Sequence, residues 1–132
     1  MAESKHISIG RLGEDIACGY LKNRGFLIKD RNYRKKWGEL DIVAHKDGVL
    51  HIVEVKAGSW TGPWPKEGVD MHRPEDHMHK NKLARLGRAL QTYITDHPLS
   101  EGEQWTVDLA VVYINEETHR ARVNMLWNIL LE

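Results

Sequence analysis

The chain has 132 residues, 41% hydrophobic and 29% charged, the composition of a soluble globular protein with length for one core. Nineteen basic residues balance nineteen acidic ones, so global charge gives no warrant for a nucleic-acid binder. The single cysteine, Cys18, excludes an internal disulfide and a zinc-cysteine site, and no apolar run reaches signal-peptide or membrane-spanning length. The expectation is one cytoplasmic domain over residues 1–132 with no membrane partner.

Ile9, Leu12, Ile16, Tyr20 and Leu21 recur at helical spacing, and Gly25 falls where a C-terminal cap belongs, which predicts a first helix over about residues 8–24. On that wheel Asp15 points away from the apolar stripe. Glu14 lies at its flank, on the side of the small residues Gly10 and Ala17, and reads on spacing alone as a surface glutamate. A strand then begins at Phe26-Leu27-Ile28 and runs through a basic segment toward Tyr33. Between Lys22 and Lys36 seven basic residues (Lys22, Arg24, Lys29, Arg31, Arg34, Lys35, Lys36) face one acid, Asp30. Such a bias suits a phosphate backbone, and lysines that guard a strand edge are the other reading.

Leu40 to Ala44 and Val49 to Val55 are short runs rich in β-branched residues, and Asp47-Gly48 between them is the dipeptide of a two-residue type I′ turn. That turn pairs Lys46 with Val49 and, counted down the ladder, sets Asp41 opposite Glu54 with Cβ atoms roughly 5 Å apart. Two like charges at that separation ask for a cation. The same register puts Leu40, Ile42, Ala44, Val53 and Val55 on one face. Glu39, Asp41, Val43, Ile52, Glu54 and Lys56 fall on the other. Magnesium takes hard oxygen ligands and keeps several waters, so two carboxylates and a substrate phosphate make a sufficient site. Lys56, about 7 Å beyond Glu54 on the same face, is placed to contact the attacking water or the scissile phosphate. It also lies opposite Glu39, and an ordinary cross-strand ion pair is its alternative role.

Residues 57–68 are punctuated by glycine and proline and predict a long loop, extending to about residue 78. Trp60 and Trp64 in it have three readings: stacking on unpaired bases, packing at an interface, or folding back onto the core. His72, His77 and His79 match no zinc-site spacing and are taken as solvent-facing or loosely phosphate-facing. Leu83, Leu86, Leu90, Tyr93 and Ile94 mark a second helix with Lys80, Lys82, Arg85 and Arg88 on its flanks and outer face. Lys82 is nearest the apolar boundary and on the substrate side. Thr106 to Tyr113 predicts a central apolar strand, and Ala121 to Leu126 with the terminal Trp127-Asn128-Ile129-Leu130-Leu131 a last strand or short element. The predicted order is α-β-β-β-α-β-β.

An acid on the second strand and Glu-x-Lys on the third, in this order of elements, resemble the PD-(D/E)XK nuclease superfamily, whose fold is a restriction-endonuclease-like α-β-β-β-α-β core with a mixed central sheet flanked by helices. More closely, Gly13-Glu14-Asp15-x-Ala17, Gly25-Phe26, Arg31-Asn32-Tyr33-Arg34, Gly38-Glu39-Leu40-Asp41-Ile42 and Val53-Glu54-Val55-Lys56 are similar to the YraN-like family of predicted endonucleases, with weaker echoes in Lys82 and Asp108. That family resembles archaeal Holliday-junction resolvases. The resemblance implies DNA cleavage dependent on Mg²⁺ or Mn²⁺, branched or single-stranded DNA as partner, and a homodimer. It makes Asp41 and Glu54 the metal ligands, Lys56 the catalytic lysine and Glu14 a helix-borne catalytic acid. Arg31, Arg34, Lys35, Lys36, Lys82 and Arg85 are the basic residues expected to meet nucleic acid. Two positions depart from the family pattern: Ala57-Gly58 where an arginine often follows Glu-x-Lys, and Thr106 where a basic residue commonly precedes Asp108. A nucleic-acid-binding module without turnover and an interaction protein using the Trp60/Trp64 loop are the alternative functions.

Overall fold

In the computed structural model, which describes residues 5–64 and 80–129, the chain runs α1 (Lys5–Asn23), β1 (Leu27–Lys35), β2 (Gly38–Lys46), β3 (Val49–Ser59), α2 (Lys80–Asp96), β4 (Gln104–Asn115) and β5 (Arg120–Leu126). The predicted order of elements holds. His72, His77, His79, Leu130 and Leu131 lie outside the described residues. The strands form one mixed sheet in the order β1-β2-β3-β4-β5. Its β1/β2, β2/β3 and β4/β5 pairs are antiparallel, while β3 and β4 are parallel, as a crossover through α2 allows. Among the described residues no helix is long and apolar enough to cross a membrane.

Local chemistry fixes the boundaries. Helix α1 ends in a Schellman turn: the N–H of Gly25 donates to the Lys22 carbonyl and that of Phe26 to the Leu21 carbonyl, with Gly25 at φ 89°. Asp47 and Gly48 both take positive φ, 50° and 78°, as a type I′ turn requires, and Lys46 pairs with Val49 as its chemistry predicts.

A helix covers each face of the sheet. Ala17, Cys18 and Leu21 of α1 pack on Ile42, Ala44 and Val53, and Leu86, Leu90 and Tyr93 of α2 pack on Leu40, Val43 and Ile52. Each large side chain buried this way contributes about 1.5–3 kcal/mol. The Tyr93 hydroxyl donates to Asp30 Oδ2 at 2.9 Å, tying the helix to the edge strand β1. Burial first, and then this bond to a carboxylate, hold the phenol above its usual titration range.

Two expectations are corrected. The alternation along the hairpin breaks at Asp41: Leu40 joins the core under α2, whereas Ile42 joins the core under α1. Residues i and i+2 of a regular strand share a face, so the strand turns over between them. Tyr33 and Arg31, their partners on β1, separate in the same way, Tyr33 toward α2 and Arg31 onto Asp15 of α1. Between them Asn32 sits at φ 52°, a left-handed conformation that asparagine tolerates better than most residues. The predicted loop also begins later than residue 57. Ala57, Gly58 and Ser59 continue β3, paired with Val112, Tyr113 and Ile114. Parallel pairing with the strongly apolar β4 outweighs the poor strand propensity of alanine and glycine.

The approach of α2 to β2 depends on Gly38. A Cβ there would stand 2.1 Å from the Arg85 carbonyl oxygen, a rigid backbone atom of the helix. Gly38→Ala is therefore expected to destabilise the fold by about 1–3 kcal/mol through forced separation of helix and strand. Chemical denaturation measures this, and an unchanged midpoint would show that the helix accommodates the methyl.

Candidate functional site

The β2–β3 pairing runs from Lys46↔Val49 to Ile42↔Val53 and ends there. Asp41 and Glu54, one step further, do not form the direct ladder pair that the register predicts. The strands splay, and the two side chains fill the split. The Asp41 N–H donates to Glu54 Oε1 at 3.4 Å, and the Val55 N–H donates to Asp41 Oδ2 at 2.9 Å. One oxygen of each carboxylate thus replaces a backbone partner that the splayed strands no longer supply.

Glu54 is 2% exposed, and its carboxyl is pushed up to about 8, first by burial and then by the neighbouring charge of Asp41. Burial also raises Asp41, against the Val55 N–H and the charge of Lys82, which lower it. Two acids pressed together out of water share a cost that a positive charge relieves. Lys82 of α2 supplies one, its Nζ lying 3.7 Å from Glu54 Oε2. With Glu39, Asn81, Arg85 and Leu86, these two residues line a cavity of about 400 Å³ beside the acids.

The predicted residues divide accordingly. Asp41, Glu54, Lys82 and Arg85 come together. Glu14 approaches from α1, close enough for its charge and that of Asp41 to interact, and its carboxyl is raised mainly by burial and next by Asp41. That approach needs Gly13, where a Cβ would stand 2.4 Å from the Ala57 Cβ. Among the described residues no group of three histidine, cysteine or acidic side chains is arranged to hold a metal. Lys56 is exposed on the strand beyond Glu54 and makes no ion pair with a described residue. Its alternative partner Glu39 is bound instead by Arg34, at 3.0 Å. In the basic segment, Arg31 is held by Asp15 at 2.8 Å and lies 3.9 Å from Glu14, while Lys35 stands over the Tyr33 ring. Lys36 lies in the β1–β2 turn. In the loop after β3, Trp60 folds back: its indole N–H donates to the Pro63 carbonyl at 2.7 Å and its ring meets Tyr113 edge-on.

Two features escaped the sequence reading. Asn32, at the level of Asp41, bonds Glu14 through its side chain and helps hold that acid charged. A left-handed asparagine inside a strand leaves no signal in hydrophobic periodicity. The second is a network under the far end of the same sheet. His51 Nδ1 lies 2.7 Å from Oδ2 of Asp108, which is fully buried; the Thr106 hydroxyl donates to the same oxygen at 3.2 Å, and the Asn128 N–H donates to Oδ1 at 2.7 Å. Phe26 and Trp127 enclose the imidazole. Thr106 and His51 together supply Asp108 with the donors that a basic residue before it would otherwise bring.

The profile of Uncharacterised protein family UPF0102 matches residues 13–121, a span that includes α1 from Gly13, both acids and both helix-borne lysine and arginine residues of the cavity. The chain belongs to this family. Among its UPF0102 relatives, a protein of Campylobacter lari is 36% identical over 115 residues, covering 86% of this chain and 89% of the relative. One from Syntrophotalea carbinolica is 39% identical over 72% of this chain and 71% of its own length, and one from Bacteroides fragilis is 42% identical over 69% of each. The YraN-like resemblance of the sequence is borne out by UPF0102 membership.

Two measurements follow. Glu54 titrates higher in the fold than in the unfolded chain, so its protonation supports folding below the ordinary carboxylate range, and that support is lost as pH rises through about 8. In EDTA, Glu54→Gln is therefore expected to melt above wild type at pH 9 and close to it at pH 4, a difference on the order of a few kcal/mol at the upper end. Equal melting temperatures across that range would contradict the burial argument. His51→Leu, which leaves Asp108 buried without its imidazole, is expected to cost about 3–5 kcal/mol in urea denaturation; a loss below 1 kcal/mol would show that Thr106 and Asn128 suffice.

Proposed function

We propose that this UPF0102 protein is a divalent-metal-dependent endonuclease that hydrolyses DNA phosphodiester bonds, acting on branched or junction DNA in repair or recombination. The observation that carries the reading is the convergence of Asp41 and Glu54 in the split between β2 and β3, with Lys82 and Arg85 lining the adjoining cavity. The donor set fits Mg²⁺ or Mn²⁺: two oxygen donors, neither sulfur nor imidazole, with room for water and phosphate beside them. When bound, such an ion supplies Lewis-acid polarisation of the phosphorus centre and activation of water.

The chain's own groups do the rest. Asp41 and Glu54 would hold the ion. Lys56, exposed one residue past Val55, positions the attacking water and stabilises charge developing on the phosphate. Arg85 and Lys82 bind the diester from the helix side, Arg85 as a forked donor suited to phosphate oxygens. Glu14, kept in place by Asn32, adds an acid to the opposite flank. In hydrolysis the water oxygen bonds to phosphorus and gives up a proton to solvent, the ester P–O bond breaks, and the leaving oxygen takes up a proton from solvent and departs as a free hydroxyl.

The test is a cleavage panel of linear, nicked, flapped and four-way-junction DNA with Mg²⁺ or Mn²⁺. Wild type is expected to cut at least one, EDTA to abolish cutting, and Asp41→Asn or Glu54→Gln to lower the rate by about a hundredfold or more. Lys56→Ala is expected to lose cleavage while DNA affinity in a salt titration stays near wild type. DNA that binds and remains uncut in every condition would replace this reading with that of a binding module without turnover.

A further inference from the structure

Lys82 is the one residue around the acid pair whose position has two uses. It sits in the third residue of α2, half exposed, with its ammonium 3.7 Å from Glu54 Oε2. That separation is a charge contact longer than a hydrogen bond, and its Coulomb field also reaches Asp41. Glu54 Oε1 is committed to the Asp41 N–H, so Oε2 is the oxygen left to face the cavity, and the ammonium stands against it. The side chain is flexible, has no competing ion-pair partner among the described residues, and lines the same cavity as Arg85 one helical turn along.

We infer that Lys82 is a displaceable resident cation: it balances the acid pair until a divalent ion enters, and its ammonium then turns to the phosphate of the nucleic acid, so that metal loading prepares the site to grip substrate. This deepens the proposed function and rests on it. The physical basis is competition for one oxygen. A lysine ammonium and a divalent ion cannot both occupy the open side of Oε2 at contact distance without like-charge repulsion, and the ion carries twice the charge on a smaller radius. The ammonium that yields keeps its full charge and its long stem beside a phosphate-sized cavity.

The first test is Mn²⁺ binding by calorimetry to the nucleic-acid-free protein. Lys82→Met keeps the length of the side chain and removes the charge, and it is expected to bind Mn²⁺ about three- to tenfold more tightly than wild type. Lys82→Arg, which keeps the charge, is expected to stay near wild type and so separates charge from packing; thermal melts confirm that each variant is folded. Unchanged or weaker Mn²⁺ binding in Lys82→Met overturns the inference.

The second test uses a labelled DNA duplex in the Lys56→Ala background, where turnover is held back. Mn²⁺ is expected to raise DNA affinity in Lys56→Ala and to raise it clearly less in Lys56→Ala/Lys82→Met. An equal rise in both would overturn the release of Lys82 to phosphate. The two readings fail separately. If wild type binds no Mn²⁺, or if Asp41→Asn binds it as well as wild type, the metal site itself is misplaced. If Asp41→Asn loses binding while Lys82→Met gains none, only the role of Lys82 falls.

Discussion

The split between β2 and β3 at Asp41 and Glu54 is the constraint around which the molecule is arranged. Antiparallel strands normally satisfy each other's backbone groups; here two carboxylates take over at the point where the ladder stops. The exchange draws two acids out of water, which raises both, and the charge of Asp41 raises Glu54 further. Everything nearby then reads as compensation or access. Lys82 brings a positive charge, the turnover of β2 at Asp41 sends Leu40 and Ile42 to different cores, and the helices approach as closely as Gly13 and Gly38 permit.

Much of this was legible in the sequence, because local signals set it. Asp47-Gly48 fixed the hairpin register through a turn that only certain residues adopt, and Gly25 fixed the end of α1 through a left-handed cap. Helical periodicity found α2 because its apolar face is continuous. The failures occurred where tertiary contacts overrule local preference. Ala57, Gly58 and Ser59 have no strong strand propensity of their own, and parallel β4 holds them in the sheet. Alternation failed at Leu40 and Ile42, at the level of Asn32 on the neighbouring strand, whose left-handed backbone no hydrophobic pattern records.

The candidate site divides along the same line. Asp41 and Glu54 are 13 residues apart in one hairpin, so turn chemistry alone brought them to the same level. Glu14, Lys82 and Arg85 arrive from helices remote in sequence, and helix docking decides their distances. Wheel geometry gave the flank on which each lies. It could not give the reach, which helix docking sets and which brings Glu14 within electrostatic range of Asp41. The basic run before β2 shows the same division: several of its cations meet acids or rings that only the folded chain supplies.

Because the Asp41 and Glu54 carboxylates also serve as backbone acceptors, truncation and neutralisation are different perturbations here. Alanine at position 41 would orphan the Val55 N–H, and alanine at 54 would orphan the Asp41 N–H, each a donor left without its partner at a half-sealed strand end. An amide side chain keeps one acceptor oxygen for that N–H, removes the charge and turns the second oxygen into an NH2 donor. Loss of function in the alanine series would therefore mix chemistry with unravelling of the hairpin. The amide series keeps that acceptor, and the gap between the two series measures how far these side chains are part of the sheet itself.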